Sequence, residues 1–190
     1  LDAVKNAAGV NVFNAPYFRN SAMFKINLTY PDFKGSFFNR SPYSAEGVSI
    51  PCMYRLASEY KDPSIQYFAD KSTEANPGIN SHPLWKIIWR DDGLKPEPVS
   101  NVSLCGVFDD LGVFSARSSW EPDAVSLFFK SGPRGGAKLN RARNGAWANV
   151  GEDFPDQNCF AVFAGGMPVA IEAPDRAARQ AAHFNLVLAD

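Results

Sequence analysis

The side chains best suited to chemistry gather late in this 190-residue sequence. Glu152, Asp153 and Asp156 form an acidic cluster. Carboxylates so placed can act as acid or base, or can simply accept backbone N–H groups at a strand start, as Asp156 could. Arg134, Lys138, Arg141 and Arg143 precede them, with Trp147 nearby. That set could be a basic clamp with an aromatic platform, or a solvated loop. There are two histidines. His82 follows a helix-capping serine and reads as a surface or capping residue. His183 opens an apolar run and reads either as a site residue or as a hydrogen-bonded histidine at a sheet edge. Cys52, Cys105 and Cys159 stand far apart, with no C-x-x-C spacing to suggest a metal knuckle. All three are expected to be buried or half-buried small apolar residues, and they do not fix the compartment.

The elements that must position these residues change type along the chain. Hydrophobic residues make up 45 % of the sequence, enough for a packed core, and the net charge of −1 provides no basic field for nucleic acid. No apolar run approaches the length of a membrane span. In the first half, Asn14 is expected to cap a helix opening at Pro16, with Phe18, Ala22 and Ile26 on one face. Met53, Leu56, Ala57 and Tyr60 mark a second helix. Asp62 caps a short third through Ile65, Phe68 and Ala69, and Ser81 starts a fourth with Leu84, Ile87 and Ile88 inward. The stretch 91–101 contains two prolines and a glycine without apolar periodicity. Beyond it the period drops to two, the strand value, over 102–108, 111–118, 124–131, 157–164, 168–173 and 183–189. The joints carry Gly, Pro or Asp, with Gly165-Gly166 a plausible hairpin turn, so antiparallel pairing is expected. The long interval 132–152 reads as a functional or disordered loop.

The late segments "FDDLGVFSARSSWEPDAVSLFFKSGPRGG", "DFPDQNCFAVFAGGMPVAIEAP" and "RQAAHFNLVLAD" resemble, in order and spacing, the β-sandwich entry of heparinase II/III-like polysaccharide lyases. There a strand ending in an Arg-Ser-Gly-Trp-like turn precedes one ending in a Lys-x-Gly-Pro-like turn. The earlier segments "NAPYFRNSAMF" and "RLASEYKDPSIQYFAD" are similar to the closing helices of that family's α/α toroid. The resemblance implies an α+β chain, with the C-terminal helices of an α/α toroid followed by a partial antiparallel β-sandwich. The boundaries are 1–91 for the helical part, 92–101 for the linker and 102–190 for the sandwich. The chain would then be an internal piece of a longer protein, an expectation that the apolar run before Asp190 also favours.

The family's chemistry is β-elimination at a uronic acid. Asn, Arg or His neutralises the carboxylate next to the acidic C5 proton. A Tyr or His removes that proton, and a Tyr protonates the leaving oxygen. Tyr43, in "NRSPYSAEG", matches the family's active-site loop and is a catalytic candidate, with an ordinary packing tyrosine as the alternative. Aligning on Asp156, Asn158 and Phe160 puts Glu152 and Phe154 where the family has paired histidines. Glu152 is thereby a second catalytic candidate. Arg19, Asn20, Arg134, Arg141 and Trp147 are the candidates for binding an acidic polysaccharide. Zinc is the one cofactor implied. Glu172 and His183 occupy two ligand positions able to hold it, while Phe154 cannot.

The expected function is therefore cleavage of a uronate-containing polysaccharide, of alginate or glycosaminoglycan type, with this piece inactive alone. The alternative is a degenerate lyase-like protein that binds acidic glycans without turnover, because both paired-histidine positions are replaced. A glycoside hydrolase would need two carboxylates at a set separation, and no such pair stands out. The resemblance implies a periplasmic or secreted location and no partner beyond the glycan and the rest of the polypeptide.

Overall fold

The computed structural model describes residues 1–37, 50–77, 83–133, 135–144 and 157–170. The chain divides into two compact units: Leu1–Ile26 with Ser49–Asn101, and Asn27–Val48 with Val102–Asp190. Among the described residues the first is helical. The second carries a five-stranded antiparallel sheet, so the fold class is α+β as expected.

Five helices build the first unit. The first, α1, spans Asp2–Ala8 and closes on Gly9, whose φ of 67° lets its N–H reach the Lys5 carbonyl. Helix α2 spans Pro16–Leu28, its last two residues lying across the division between units. Proline in its first turn loses no helical hydrogen bond. Ala22 and Ile26 are fully buried, as their four-residue spacing predicts. Asn14 does not cap this helix. It ends a short 3-10 turn, Val12–Asn14, capped instead by Asn11, and Ala15 is extended between the turn and α2. Helix α3 spans Ile50–Tyr60 and buries Met53, Tyr54, Leu56 and Ala57. Helix α4 spans Pro63–Ala75, longer than its apolar spacing suggested, and starts where Asp62 accepts from the N–H groups of Ser64 and Ile65. Both α4 and the last helix, α5 (Pro83–Trp89), pack on α3.

Two polar networks hold this unit. The side chain of Gln66 is fully buried; its amide donates to the carbonyls of Asp91 and Leu94 and accepts from the Asp91 N–H. With the Glu97 N–H on the Pro63 carbonyl and Val99 buried, the proline-containing stretch after α5 lies against α4. In the second network, the Tyr54 hydroxyl donates to Asp70 at 2.9 Å, and Arg90 grips both Asp70 oxygens at 3.2 and 3.0 Å. Burial by itself would raise the Asp70 carboxyl, but the Arg90 and Tyr54 hydrogen bonds outweigh it and hold the group below its ordinary range.

The sheet of the second unit is a meander in chain order: β1 Cys105–Phe108, β2 Val113–Arg117, β3 Ser126–Lys130, β4 Cys159–Ala164 and β5 Met167–Ala170. All four pairings are antiparallel. Gly165 and Gly166 adopt φ of 61° and 77°, the positive pair that a tight hairpin between twisted strands requires. Val113, Ser115, Arg117, Ser126, Phe128, Cys159, Ala161 and Phe163 point to the buried face. Phe128 lies between Ser115 and Ala161 on the neighbouring strands, and their small side chains leave room above it. Tyr30 and Phe37 fill that room, with ring centroids 5.4 and 5.5 Å from Phe128. Both belong to a short turn-back closed by the Tyr30 N–H on the Gly35 carbonyl and the Phe37 N–H on the Leu28 carbonyl. Burying each large ring contributes roughly 2–3 kcal/mol.

Three further expectations are corrected. Leu84, Ile87 and Ile88 are not inward: they are 59, 78 and 55 % exposed, because α5 meets α3 over only part of its circumference. Cys52 and Cys105 are exposed, and only Cys159 is buried, at the start of β4. The interval read as a loop holds a sixth helix, α6, Ala137–Ala142. The strand expected at 183–189 lies outside the described residues, among which there is one sheet.

Candidate functional site

Of the candidate catalytic, glycan-binding and zinc-holding residues, three are described. Arg19 and Asn20 are exposed on α2. The Arg19 guanidinium stands 3.8 Å from the Asp62 carboxylate and 5.8 Å above the Tyr60 ring, an exposed pairing that leaves it accessible. Arg141 is exposed in the last turn of α6. That helix is fixed at its start by Asp110, in the turn between β1 and β2. The Asp110 carbonyl accepts from the Ala137 N–H at 2.6 Å, and its carboxylate accepts from the Lys138 N–H at 2.7 Å. Asp110 thus orients a short helix whose Lys138 and Arg141 are exposed to solvent, as is Arg143 just after it. Tyr43, Arg134, Trp147, Glu152, Phe154, Glu172 and His183 lie outside the described residues. Both residues able to hold zinc are among them. No group of three or more metal-capable side chains occurs among the described residues.

The structure also presents a cleft that sequence reasoning missed. It lies in the helical unit, has a volume of about 690 Å³, and is lined by α1, α3 and α5. Arg55 is its central residue. It donates to Asp2 at 2.6 Å and to Glu59, one turn along α3, at 2.8 Å. Glu59 also accepts from Lys5 and Asn11, each at 2.8 Å. The Lys5 hydrogen bond, seconded by those from Arg55 and Asn11, overcomes burial and holds the Glu59 carboxyl at about 2. Hydrogen bonds from Arg55 likewise keep Asp2 below its usual range. The guanidinium lies 4.4 Å from the Phe13 ring centre. Trp85 and Trp89 stack on the opposite wall with centroids 4.5 Å apart and planes 20° from parallel. A smaller apolar lobe of about 340 Å³ adjoins it, lined by Phe13, Tyr17, Phe18, Leu56 and Trp89, and shares Asp2 and Arg55. The signal was present in the sequence. Arg55 and Glu59, and Trp85 and Trp89, are i,i+4 pairs that must share a helix face.

The sheet unit carries a second polar constellation. Arg117 is buried at the end of β2 and donates to the Asn27 and Thr29 carbonyls at 3.0 and 2.9 Å. Its guanidinium lies 4.0 Å from the centre of the Trp120 ring. Burial lowers it to about 10. Ser115 and Ser126 bury their hydroxyls beside it. Gly106 presses against Asn27 and Ser115 so closely that a Cβ there would meet both at 2.8 Å. This constellation joins the 27–37 segment to the sheet.

The class of protein that these elements define is an α+β chain with a helical unit and an antiparallel sheet unit. No protein-family model and no curated protein matches the sequence. Solved structures similar to it include the "Heparinase III-BT4657 gene product", at 19 % identity, and the same product with methylated lysines, at 20 %. Each match has a TM-score of 0.48 and covers 80 % of this chain. The chain spans 18 % of the length of each of those structures. No helix among the described residues is long and apolar enough to cross a membrane.

Proposed function

We propose that this chain is part of a polysaccharide lyase-like protein acting on uronate-containing glycan by β-elimination, outside the cytoplasm. The observation that carries the reading is where the resembling motif falls. Its Arg-Ser-x-Trp turn is Arg117-Ser118-Ser119-Trp120, beginning at the last residue of β2, and its Lys-x-Gly-Pro turn is Lys130-Ser131-Gly132-Pro133, beginning at the last residue of β3. The letters of these turns have structural roles: Arg117 stacks on Trp120, and Gly132 packs backbone-to-backbone against Gly112. In this reading Tyr43 and Glu152 serve as acid and base at the uronate, and the basic residues of α6, with Arg134 and Trp147, bind the anionic chain. Arg19 and Asn20 contribute from α2, and Glu172 and His183 would supply two ligands to a supporting zinc whose third family position is Phe154.

The test is an absorbance assay for unsaturated uronate, using the longer parent protein against alginate and glycosaminoglycans. Turnover abolished by Tyr43→Phe is the expected result. No new absorbance on any acidic glycan would sink the lyase reading. A second reading is favoured by Glu152 and Phe154 at the paired-histidine positions: a protein that binds such glycans without cleaving them. Tight glycan binding without turnover would select it.

A further inference from the structure

We propose that Asp110 is a positioning residue for acidic-glycan binding: from the turn between β1 and β2 it fixes α6 and the cations that this helix carries. The inference rests on the glycan reading and names a residue which that reading does not use. Over 131–151 the sequence has four cations, Arg134, Lys138, Arg141 and Arg143, and no carboxylate. Helix α6 has six residues, too few to be stable in water without outside anchors. Its N-cap is Gly136, which has no side chain to accept an orphan N–H. Asp110, 28 residues before Lys138, supplies that acceptor. Its carboxylate takes the Lys138 N–H, the second of the helix, at 2.7 Å, and its carbonyl takes the first, from Ala137, at 2.6 Å.

The same turn holds the stretch that leads to α6. The Gly112 carbonyl accepts from the Ser131 N–H at 2.8 Å. Gly132 is buried against Leu111, and Gly136 against Asp110, where a Cβ would come within 3.1 Å of Oδ2. The turn keeps its own shape without the Asp110 side chain, because the Leu111 and Gly112 N–H groups donate to the Phe108 and Asp109 carbonyls. Lys138, Arg141 and Arg143 stay exposed. An anchored α6 presents them before the ligand arrives. A loose one must be ordered on binding, and the apparent affinity falls with the fraction of chains in which it is docked. Charge has the opposite sign. Deleting a carboxylate so close to α6 would by itself favour an anionic ligand. Weaker binding without Asp110 therefore reports lost position, not lost charge.

The test is calorimetric titration of the longer parent protein with tetramannuronate and with a chondroitin tetrasaccharide. Asp110→Ala should weaken the wild-type binding by about threefold or more. Asp110→Asn, which keeps the acceptor oxygen and loses the charge, should bind at least as tightly as the wild type. Without ligand, tryptic cleavage after Lys138, Arg141 or Arg143 should be about threefold faster or more in Asp110→Ala, and unchanged in Asp110→Asn. Circular dichroism of both variants confirms that they fold. Unchanged or tighter binding by Asp110→Ala would overturn the proposal, and so would equal weakening by Asp110→Asn. Unchanged tryptic cleavage would overturn the anchoring of α6 and leave the glycan reading standing. A wild-type parent that takes neither oligosaccharide would overturn the glycan reading and this proposal with it, even where cleavage shows that Asp110 holds α6.

Discussion

The Arg117 guanidinium lies 4.0 Å from the centre of the Trp120 ring, three residues on, while its Nη2 bridges the carbonyls of Asn27 and Thr29. One side chain therefore ties a strand end, the turn after it, and a segment some 90 residues earlier. Trp120 is itself anchored, donating from its indole N–H to the Val102 carbonyl at 2.9 Å. A buried cation held by two carbonyls and a π face is costly to truncate, because the carbonyls lose their donor. Arg117→Ala is expected to cost roughly 2–4 kcal/mol in urea unfolding. Arg117→Lys should recover only part of this, since an ammonium cannot lie flat on the indole while bridging both acceptors. Loss of less than about 0.5 kcal/mol in the alanine variant would contradict the assignment.

Glu59 gives the helical unit an acid-labile element. Its carboxyl sits at about 2 in the folded chain, below its ordinary value of 4.5, because Lys5, Arg55 and Asn11 donate to it. A depressed folded value means that the ionised group stabilises the fold above about pH 4.5. That contribution is lost as pH falls toward 2. The expected loss is about 1 kcal/mol, the upper end for a pair in contact with solvent. Melting temperature measured between pH 5 and pH 2.5 should fall less steeply in Glu59→Gln than in the wild type. Parallel curves would remove Glu59 from the account.

Gly132 tests the backbone approach between the turns that flank β2 and β3. A Cβ at Gly132 would collide with the Leu111 carbonyl, and one at Gly112 with the Gly132 backbone. Gly112 also holds a φ of +61°, unfavourable for any L side chain. Neither obstacle is the end of a flexible side chain, so Gly132→Ala should destabilise by about 3 kcal/mol or more, read from denaturant unfolding. A neutral result would mean that the two turns part easily.

Arg141 separates binding from folding. It is exposed at the end of α6, so Arg141→Ala should leave the melting temperature unchanged. In the lyase reading it should weaken acidic-oligosaccharide binding by the longer parent roughly 3- to 5-fold, an exposed charge pair being worth up to about 1 kcal/mol. The difference should shrink at high salt. Unchanged affinity at low salt would take Arg141 out of the binding surface.

The sequence by itself determined the α+β class, the antiparallel meander, the Gly165-Gly166 turn, the Asp62 cap and the buried stripe of α2. Each follows from local rules: a period of two or of 3.6, a carboxylate before a helix, two glycines free to take positive φ. Its resemblance also marked Arg117, Trp120, Lys130, Gly132 and Pro133 as turn residues, and they stand at the ends of β2 and β3.

Only the tertiary structure decided the rest. Periodicity says that Leu84, Ile87 and Ile88 share an apolar stripe, but not whether anything packs on it, and all three are exposed. Helix α6 escaped notice because its six residues carry one large apolar side chain, Leu139, and its start is secured by Asp110 from a distant turn. The cleft was hidden for the same reason. Asp2, Lys5, Arg55 and Glu59 are ordinary surface charges in the sequence, and their pairing depends on α1 lying beside α3, more than 50 residues away. Local propensities act between near neighbours. A site made from charges and rings on separate helices exists only after the apolar faces of those helices have packed.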